Sequence, residues 1–407
     1  MGDNSMKSII RLIEYAAIAA IMIAGSTAVR ADDEDSRDGR NAYVVTPLVS
    51  NLAGKAKFQD QVLKNAWGVA FSPAGSPFWI ADNATGCSTL YDGTGVKMAL
   101  QVSIPLPGNI VPSTDCQTVK PPPAPSPKPT PAAPTGLIWN PSSAFVVPGT
   151  VSPANSKGIA AVFIFDTEDG TVSAWAGGLT PATNAVLAVD NSKTPNPASG
   201  AVYKGLAFGV NVHGAFLFAT NFRAGTIDVF GPPTIAGGLF TPATTDGGFT
   251  DPEIPAGYAP FGIQNIDGDL FVTYAKKDAQ RHDDVAGPGN GFVDVFDTDG
   301  HLLRRFASRR PLNSPWGVAR ASFAFGRFSG AILVGNFGNG KINVFDSRGR
   351  FIDELDGPYG RPLVIDGLWT LTLGGGAKSS SDTLYFTAGP NGETDGLFGT
   401  ITPLSKD

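Results

Sequence analysis

The sequence predicts an all-β protein, a six-bladed β-propeller of four-stranded blades closed by its N-terminal strand. Three observations carry that expectation. A glycine-led strand phrase recurs along the chain, 50 glycines and 33 prolines punctuate it at short intervals, and no long helical pattern follows the N-terminus. Hydrophobic residues make up 42% of the 407, enough to build a core rather than a disordered chain.

The phrase appears as GTVSAWAGG (170–178), GTIDVFG (225–231), GFVDVFDTDG (291–300), GKINVFDSRG (340–349) and GLFGTITPL (396–404). STLYDGTG (88–95) is the same element with Ser88 in the glycine's place. A short apolar strand precedes each copy: FWIAD, AVFIFD, AFLFAT, DLFVTY, AILVG and TLYFTA. Ahead of that comes a leading strand: WGVAF (67–71), TGLIW (135–139), KGLAF (204–208), FGIQN (261–265), WGVAR (316–320) and LWTLT (368–372). Segments such as VKMALQVSI and HLLRRFAS supply outer strands. Turns such as Asp299-Gly300 and Arg348-Gly349 sit where a hairpin needs positive φ. One such unit cannot cover both its faces, whereas six around an axis can. Seven blades is the geometric alternative.

A ring must close. The last repeat ends at GLFGTITPL without an outer strand, and AYVVTPLVS (42–50) is an alternating segment with no repeat of its own. It is expected to pair with residues 397–403, which removes an open sheet edge.

The domain reading follows. Residues 1–31 have the layout of a signal peptide, with Lys7 and Arg11 before an Ile/Ala-rich run that closes on Val29-Arg30-Ala31. Glu14 is atypical, Met6 is an alternative start, and an uncleaved anchor is the rival reading, though the run is short for a span. Cleavage after Ala31 predicts a secreted or periplasmic protein. Residues 32–41 are a flexible N-terminus, and 42–403 are the propeller. The proline-rich stretch 105–134 is a loop inserted between blades 1 and 2, with an interdomain linker as the other view. Cleavage leaves 27 basic against 34 acidic groups, a net charge of −7. An acidic chain without a basic stripe argues against nucleic acid and anionic membrane as partners.

In an oxidising compartment the two cysteines, Cys87 and Cys116, are most simply a disulfide that tethers the proline-rich loop. Three histidines far apart in sequence argue against a multi-histidine metal site.

In a four-stranded blade, the connections into the inner strand and between the second and third strands share one rim. That rim collects the sequence complexity and is the expected working face. Its candidate binding residues are Trp67, Asp82, Asn83, Glu168, Asn221, Arg223, Lys276, His282, Trp316, Asn336, Trp369 and Glu393. Against a sugar-stacking role for the tryptophans stands core packing between blades, since Trp67 and Trp316 occupy equivalent repeat positions. Against a site role for Asp82, Asn221 and Asn336 stands turn capping. The long connection KKDAQRHDDVAGPGNG (276–291) reads either as a ligand loop or as a solvated charged loop. Asp82, Glu168, Asn221 and Asn336 are a candidate ligand set for a hard cation such as Ca²⁺ at the axial mouth.

LYDGTG, PTGLIWN, DTEDGTVSAW, TNFRAGTIDVF, GPGNGFVDVFD, LVGNFGNGKINVFD, IDGLWTLTLGGG and LYFTAGPNGETDGLFGTI, in this order, resemble a group of exported, uncharacterised bacterial proteins. Some of those carry a carboxy-terminal sorting signal. The resemblance spans about residues 43–401 and is similar to NHL-type six-bladed propellers. It implies the fold and no established reaction, so it brings no catalytic residue. The chain ends PLSKD, without a hydrophobic sorting tail, which suggests a soluble extracytoplasmic form.

Two functions are carried forward. The first is a binding or interaction propeller that uses the loop-rich rim to hold an extracytoplasmic protein, a glycan or a small molecule. The alternative is a Ca²⁺-dependent lactonase- or esterase-like hydrolase with an axial metal. A quinone-cofactor dehydrogenase lacks a cluster of basic groups for the cofactor.

Overall fold

Short apolar segments bounded by Gly, Asp and Asn pair into six antiparallel sheets. The computed structural model describes residues 40–110, 116 and 131–404. The expected signal segment and most of the proline-rich insertion lie outside the described residues. Blade 1 comprises Ala66–Ala70, Phe78–Asp82, Cys87–Tyr91 and Lys97–Ser103, and blade 2 Pro134–Trp139, Phe163–Thr167, Thr171–Trp175 and Val186–Asp190. Blade 3 comprises Tyr203–Asn211, Gly214–Asn221, Thr226–Gly231 and Thr241–Ala243. Blade 4 comprises Tyr258–Ile266, Asp269–Lys276, Phe292–Phe296 and Leu302–Ser308. Blade 5 comprises Pro315–Arg320, Ile332–Asn336, Ile342–Phe345 and Phe351–Glu354.

Blade 6 takes Leu368–Leu373, Leu384–Ala388 and Leu397–Pro403 from the end of the chain and Tyr43–Ser50 from its beginning. Tyr43 lies opposite Pro403 and Ser50 opposite Leu397, the closure expected from the sequence. Phe58–Gln59 adds a short parallel fifth strand. The closing strand also grips its neighbour. Tyr43, 1% exposed, stacks on Phe325 at 4.8 Å and donates its hydroxyl to the Phe325 carbonyl. Asn41, in the segment expected to be flexible, donates from Nδ2 to the Glu354 carbonyl at 2.9 Å.

The core is divided by the ring. Six apolar clusters fill the six junctions between neighbouring blades, as where Trp79 of blade 1 stacks on Phe163 of blade 2 at 4.2 Å. A seventh, built on Trp67, Phe261, Trp316 and Trp369, lies at the axis. Burying large side chains against both neighbours makes each blade depend on the next.

Every inner strand carries the same bulge. Two residues, Trp67-Gly68, Thr135-Gly136, Lys204-Gly205, Phe261-Gly262, Trp316-Gly317 or Trp369-Thr370, oppose a single residue on the second strand. The glycine follows from crowding at the axis: a Cβ on Gly68, Gly136, Gly262 or Gly317 would overlap the backbone of the next blade. Only at the junction of the last blade with the first does Thr370 replace it, and there its hydroxyl donates to the Trp67 carbonyl at 2.7 Å. In four blades the opposing residue's side chain holds the bulge or the strand beside it. Thr273 accepts from the Gly262 N–H, Thr387 accepts from the Thr370 N–H, and Thr220 donates to the Phe261 carbonyl. In blade 2 this post belongs to Asp166, which accepts from the Gly136 N–H and the Thr135 hydroxyl.

Cys87 and Cys116 are bonded, with Cα atoms 5.9 Å apart, so the insertion is fastened to blade 1 beside Val62.

Candidate functional site at the axis

The first residue of each bulge is presented to the axis, where Trp67, Thr135, Lys204, Phe261, Trp316 and Trp369 form a ring of one residue per blade. The aromatic members close the channel. Trp67 stacks on Trp369 at 3.6 Å, Trp316 meets both edge-on at 6.3 and 6.0 Å, and Phe337 covers the other face of Trp369 at 3.9 Å. The indole N–H of Trp316 donates to the Lys204 carbonyl and that of Trp369 to Asn65 Oδ1, both at 2.8 Å.

Lys204 is the one charged member of this ring and is 2% exposed. Its ammonium lies 5.3 Å from the centre of the Trp67 ring and 5.9 Å from that of Phe222, a cation–π setting. It donates to Glu168 Oε1 from the blade 2 connection and, at 3.1 Å, to Asp283 Oδ1 from the blade 4 connection. Glu168 Oε2 accepts from Asn83 Nδ2 at 2.9 Å. Asn83 Oδ1 accepts from Asn65, and Asn65 Nδ2 also donates to Glu393 of the blade 6 connection at 2.7 Å. A continuous polar chain thus links groups from blades 6, 1, 2, 3 and 4.

The blade 4 loop is held in place to deliver its end of this chain. Asp278 Oδ1 accepts from the His282 N–H, Val285 N–H donates to the Lys276 carbonyl, and Gly287 N–H donates to Asn313 Oδ1. His282 Nδ1 lies 2.8 Å from Asp283 Oδ1. That hydrogen bond raises the imidazole pKa and holds the Asp283 carboxyl well below the usual carboxylate range. For Lys204, desolvation is the largest single effect and pulls its pKa down, yet the charges of Glu168 and Asp283 together leave it raised. Burial pushes Glu393 up to about 7.

Of the residues expected on this rim, Asn83, Glu168, His282 and Glu393 come together. Trp67, Trp316 and Trp369 lie in the aromatic floor, 1%, 6% and 1% exposed. Arg223 donates to the Gly200 carbonyl, and Lys276 is exposed at the foot of the long loop. Asn221 Oδ1 accepts from the Val202 and Ala224 N–H groups, and Asn336 Oδ1 accepts from the Asn313 N–H. Both amides are spent on their own connections. Asp82 is fully buried beside Thr89, Asp60 and Tyr91, and burial pushes its carboxyl well above the ordinary range.

Of the quartet Asp82, Glu168, Asn221 and Asn336 expected as Ca²⁺ ligands, the two amides accept from nearby backbone N–H groups and Asp82 is buried beside Asp60 and Tyr91. Glu168 alone reaches the axis, and an ammonium stands in front of it. Lys204, Asn65 and Asp283 complete the cluster instead. The signal for Lys204 was present in the repeat, since it puts a lysine where four other blades put an aromatic residue.

Beneath the aromatic floor a cavity of about 440 Å³ follows the axis to the opposite rim. It is lined by residues such as Leu137, Trp139, Phe208 and Ile263, with no ionisable side chain. The polar cluster and this cavity thus lie on opposite sides of one floor.

No family model matches the chain. Two uncharacterised proteins of Acanthamoeba polyphaga mimivirus are similar over most of its length. One is 31% identical over 361 residues, 88% of this chain and 80% of the relative. The other is 32% identical over 363 residues, 88% of this chain and 85% of the relative. These relatives are viral, so they do not carry the bacterial source that the resemblance implied. Among solved structures, the soluble aldose sugar dehydrogenase of Escherichia coli matches with a TM-score of 0.50 and 12% identity, over 89% of this chain and 100% of that one. A gluconolactonase of Xanthomonas campestris matches with a TM-score of 0.45 and 13% identity, over 84% and 86% of the two chains. At 12% identity, the likeness to the dehydrogenase shows the fold alone.

Proposed function

The chain belongs to the family of these two uncharacterised mimivirus proteins, and we propose that its axial rim is a binding surface for a small polar ligand. The observation that carries this reading is the convergence of amide, carboxylate, imidazole and ammonium groups from five blades into one hydrogen-bonded chain. Such a rim offers donors and acceptors in fixed positions, and a polyhydroxylated molecule matches them with little reorganisation of the protein. The sealed aromatic floor gives the site a dry base. Among the described residues, no serine or cysteine joins the cluster as a nucleophile, which favours recognition over covalent chemistry. The protein works outside the cytoplasm in this reading, in the medium or periplasm, where the Cys87–Cys116 bond persists.

Thermal-shift and calorimetric screening of neutral and amino sugars against the purified protein tests the proposal. Binding weakened at least about tenfold by Asn83→Ala or Glu393→Gln, each with an unchanged fold, is the expected result. A ligand whose affinity ignores both substitutions but falls when the cavity wall is filled by Ala207→Phe would move the site to the opposite rim. Turnover of a lactone or ester, lost on adding chelator, would establish the hydrolase instead.

A further inference from the structure

Glu168, His282 and Asp283 each offer a ligand atom within 4.8 Å of the other two. Two carboxylates and an imidazole are a donor set that suits a divalent transition ion better than Ca²⁺. Yet this trio is already engaged with a positive charge. Lys204 Nζ donates to both Glu168 and Asp283, and the same ammonium lies over the Trp67 and Phe222 rings. A divalent ion bound there would share both carboxylates with a buried ammonium a few ångströms away, where low polarizability strengthens repulsion.

We propose that Lys204 is a built-in cation that occupies a two-carboxylate, one-imidazole site for a divalent transition ion, so that the native axis holds its carboxylates without metal and loss of the lysine charge creates a metal site. The ammonium satisfies the carboxylates as an ion would, but it is covalently supplied by blade 3. Blades 2 and 4 are thereby joined through blade 3 independently of metal supply. This inference does not rest on the ligand reading above: a sugar found or not found leaves the metal result unchanged.

Lys204→Met tests it, since methionine keeps an unbranched apolar side chain and removes the charge. Calorimetry with Mn²⁺ and Zn²⁺ on wild-type protein is expected to show no saturable binding that depends on Glu168, and chelator leaves its melting temperature unchanged. In Lys204→Met one ion binds at least about tenfold more tightly than to wild type, the lower end of what one neighbouring group changes at a metal site. That binding raises the melting temperature of the variant and disappears in Lys204→Met/Glu168→Gln. Lys204→Gln serves as a second variant should methionine prevent folding. Stoichiometric binding to wild-type protein that is lost in Glu168→Gln overturns the proposal, and so does a folded Lys204→Met or Lys204→Gln protein that takes up neither ion.

Discussion

Trp67 and Trp369 stack face to face at 3.6 Å, although one opens the first blade and the other the last. The stack sits where the ring closes, and Thr370 reinforces it by donating to the Trp67 carbonyl. Trp369→Ala is expected to cost about 3–5 kcal/mol, as large aromatic truncations in cores do. Denaturant unfolding followed by tryptophan fluorescence and by circular dichroism should give coincident transitions at a lower midpoint. An early step confined to one probe would show that blade 6 melts alone.

Removal of residues 41–51 takes away the closing strand and with it Tyr43, which is buried against Phe325 and Phe328. The expected outcome is failure of the whole ring, read as loss of the cooperative thermal transition rather than a small shift. Tyr43→Ala alone leaves the strand pairing and is expected to cost about 3–5 kcal/mol.

The bulge glycines differ in how much room surrounds them. A Cβ on Gly136 would overlap the backbone of Leu206, whereas one on Gly205 meets its nearest neighbour, Gly262 Cα, at 3.3 Å. Gly205→Ala is expected to cost about 1 kcal/mol and Gly136→Ala well over 2 kcal/mol, because backbone in blade 3 must move to admit it. Comparing their melting temperatures checks the order. Equal losses would mean that the inner strands slide more freely than their bulges imply.

Burial pushes Asp166 up to about 7, against the pull of its hydrogen bonds from Thr135 and Gly136. A carboxyl with a raised folded pKa holds more protons in the folded state than in the unfolded one. Its contribution therefore favours folding below about pH 4 and is lost progressively as pH rises through about 7. Asp166→Thr copies the residue used in blades 3, 4 and 6 and removes that titration. The variant should gain on wild type as pH rises from 5 to 8, by about 1.4 kcal/mol for each unit of pKa displacement removed. Asp294 and Glu393 are also pushed up to about 7 by burial, so the decline is reduced rather than abolished. A difference between the two proteins that ignores pH would refute the assignment.

The Cys87–Cys116 bond closes a loop of sequence separation 29. Replacing both cysteines by serine is expected to cost about 3 kcal/mol through the unfolded state. The circular dichroism spectrum should not change, because six blade junctions do not depend on the bond. Loss of folded signal under reducing conditions would show that the insertion is part of the core.

The ring was legible because its cause is local. Each blade needs turn residues at its hairpins and apolar residues on both faces, and these recur in phrases such as GTIDVF and GKINVF whatever the rest of the molecule does. The unpaired outer strand of the last repeat and the spare strand at 42–50 likewise pointed to closure. Turn capping by Asn221 and Asn336 was readable for the same reason, as one partner of each, Ala224 and Asn339, lies three residues on.

Strand pattern, blade number, closure and the cysteine pair are thus written in short stretches of sequence, since each follows from backbone and packing needs within one or two repeats. The axial cluster is not. Asn65, Asn83, Glu168, Lys204, Asp283 and Glu393 come from five blades, and only the radius of the closed ring and its six bulges bring them within hydrogen-bonding reach. Whether a carboxylate such as Glu168 faces a metal ion or an ammonium depends on a side chain one blade away. Distance across the axis decided that, and a linear sequence does not encode it position by position.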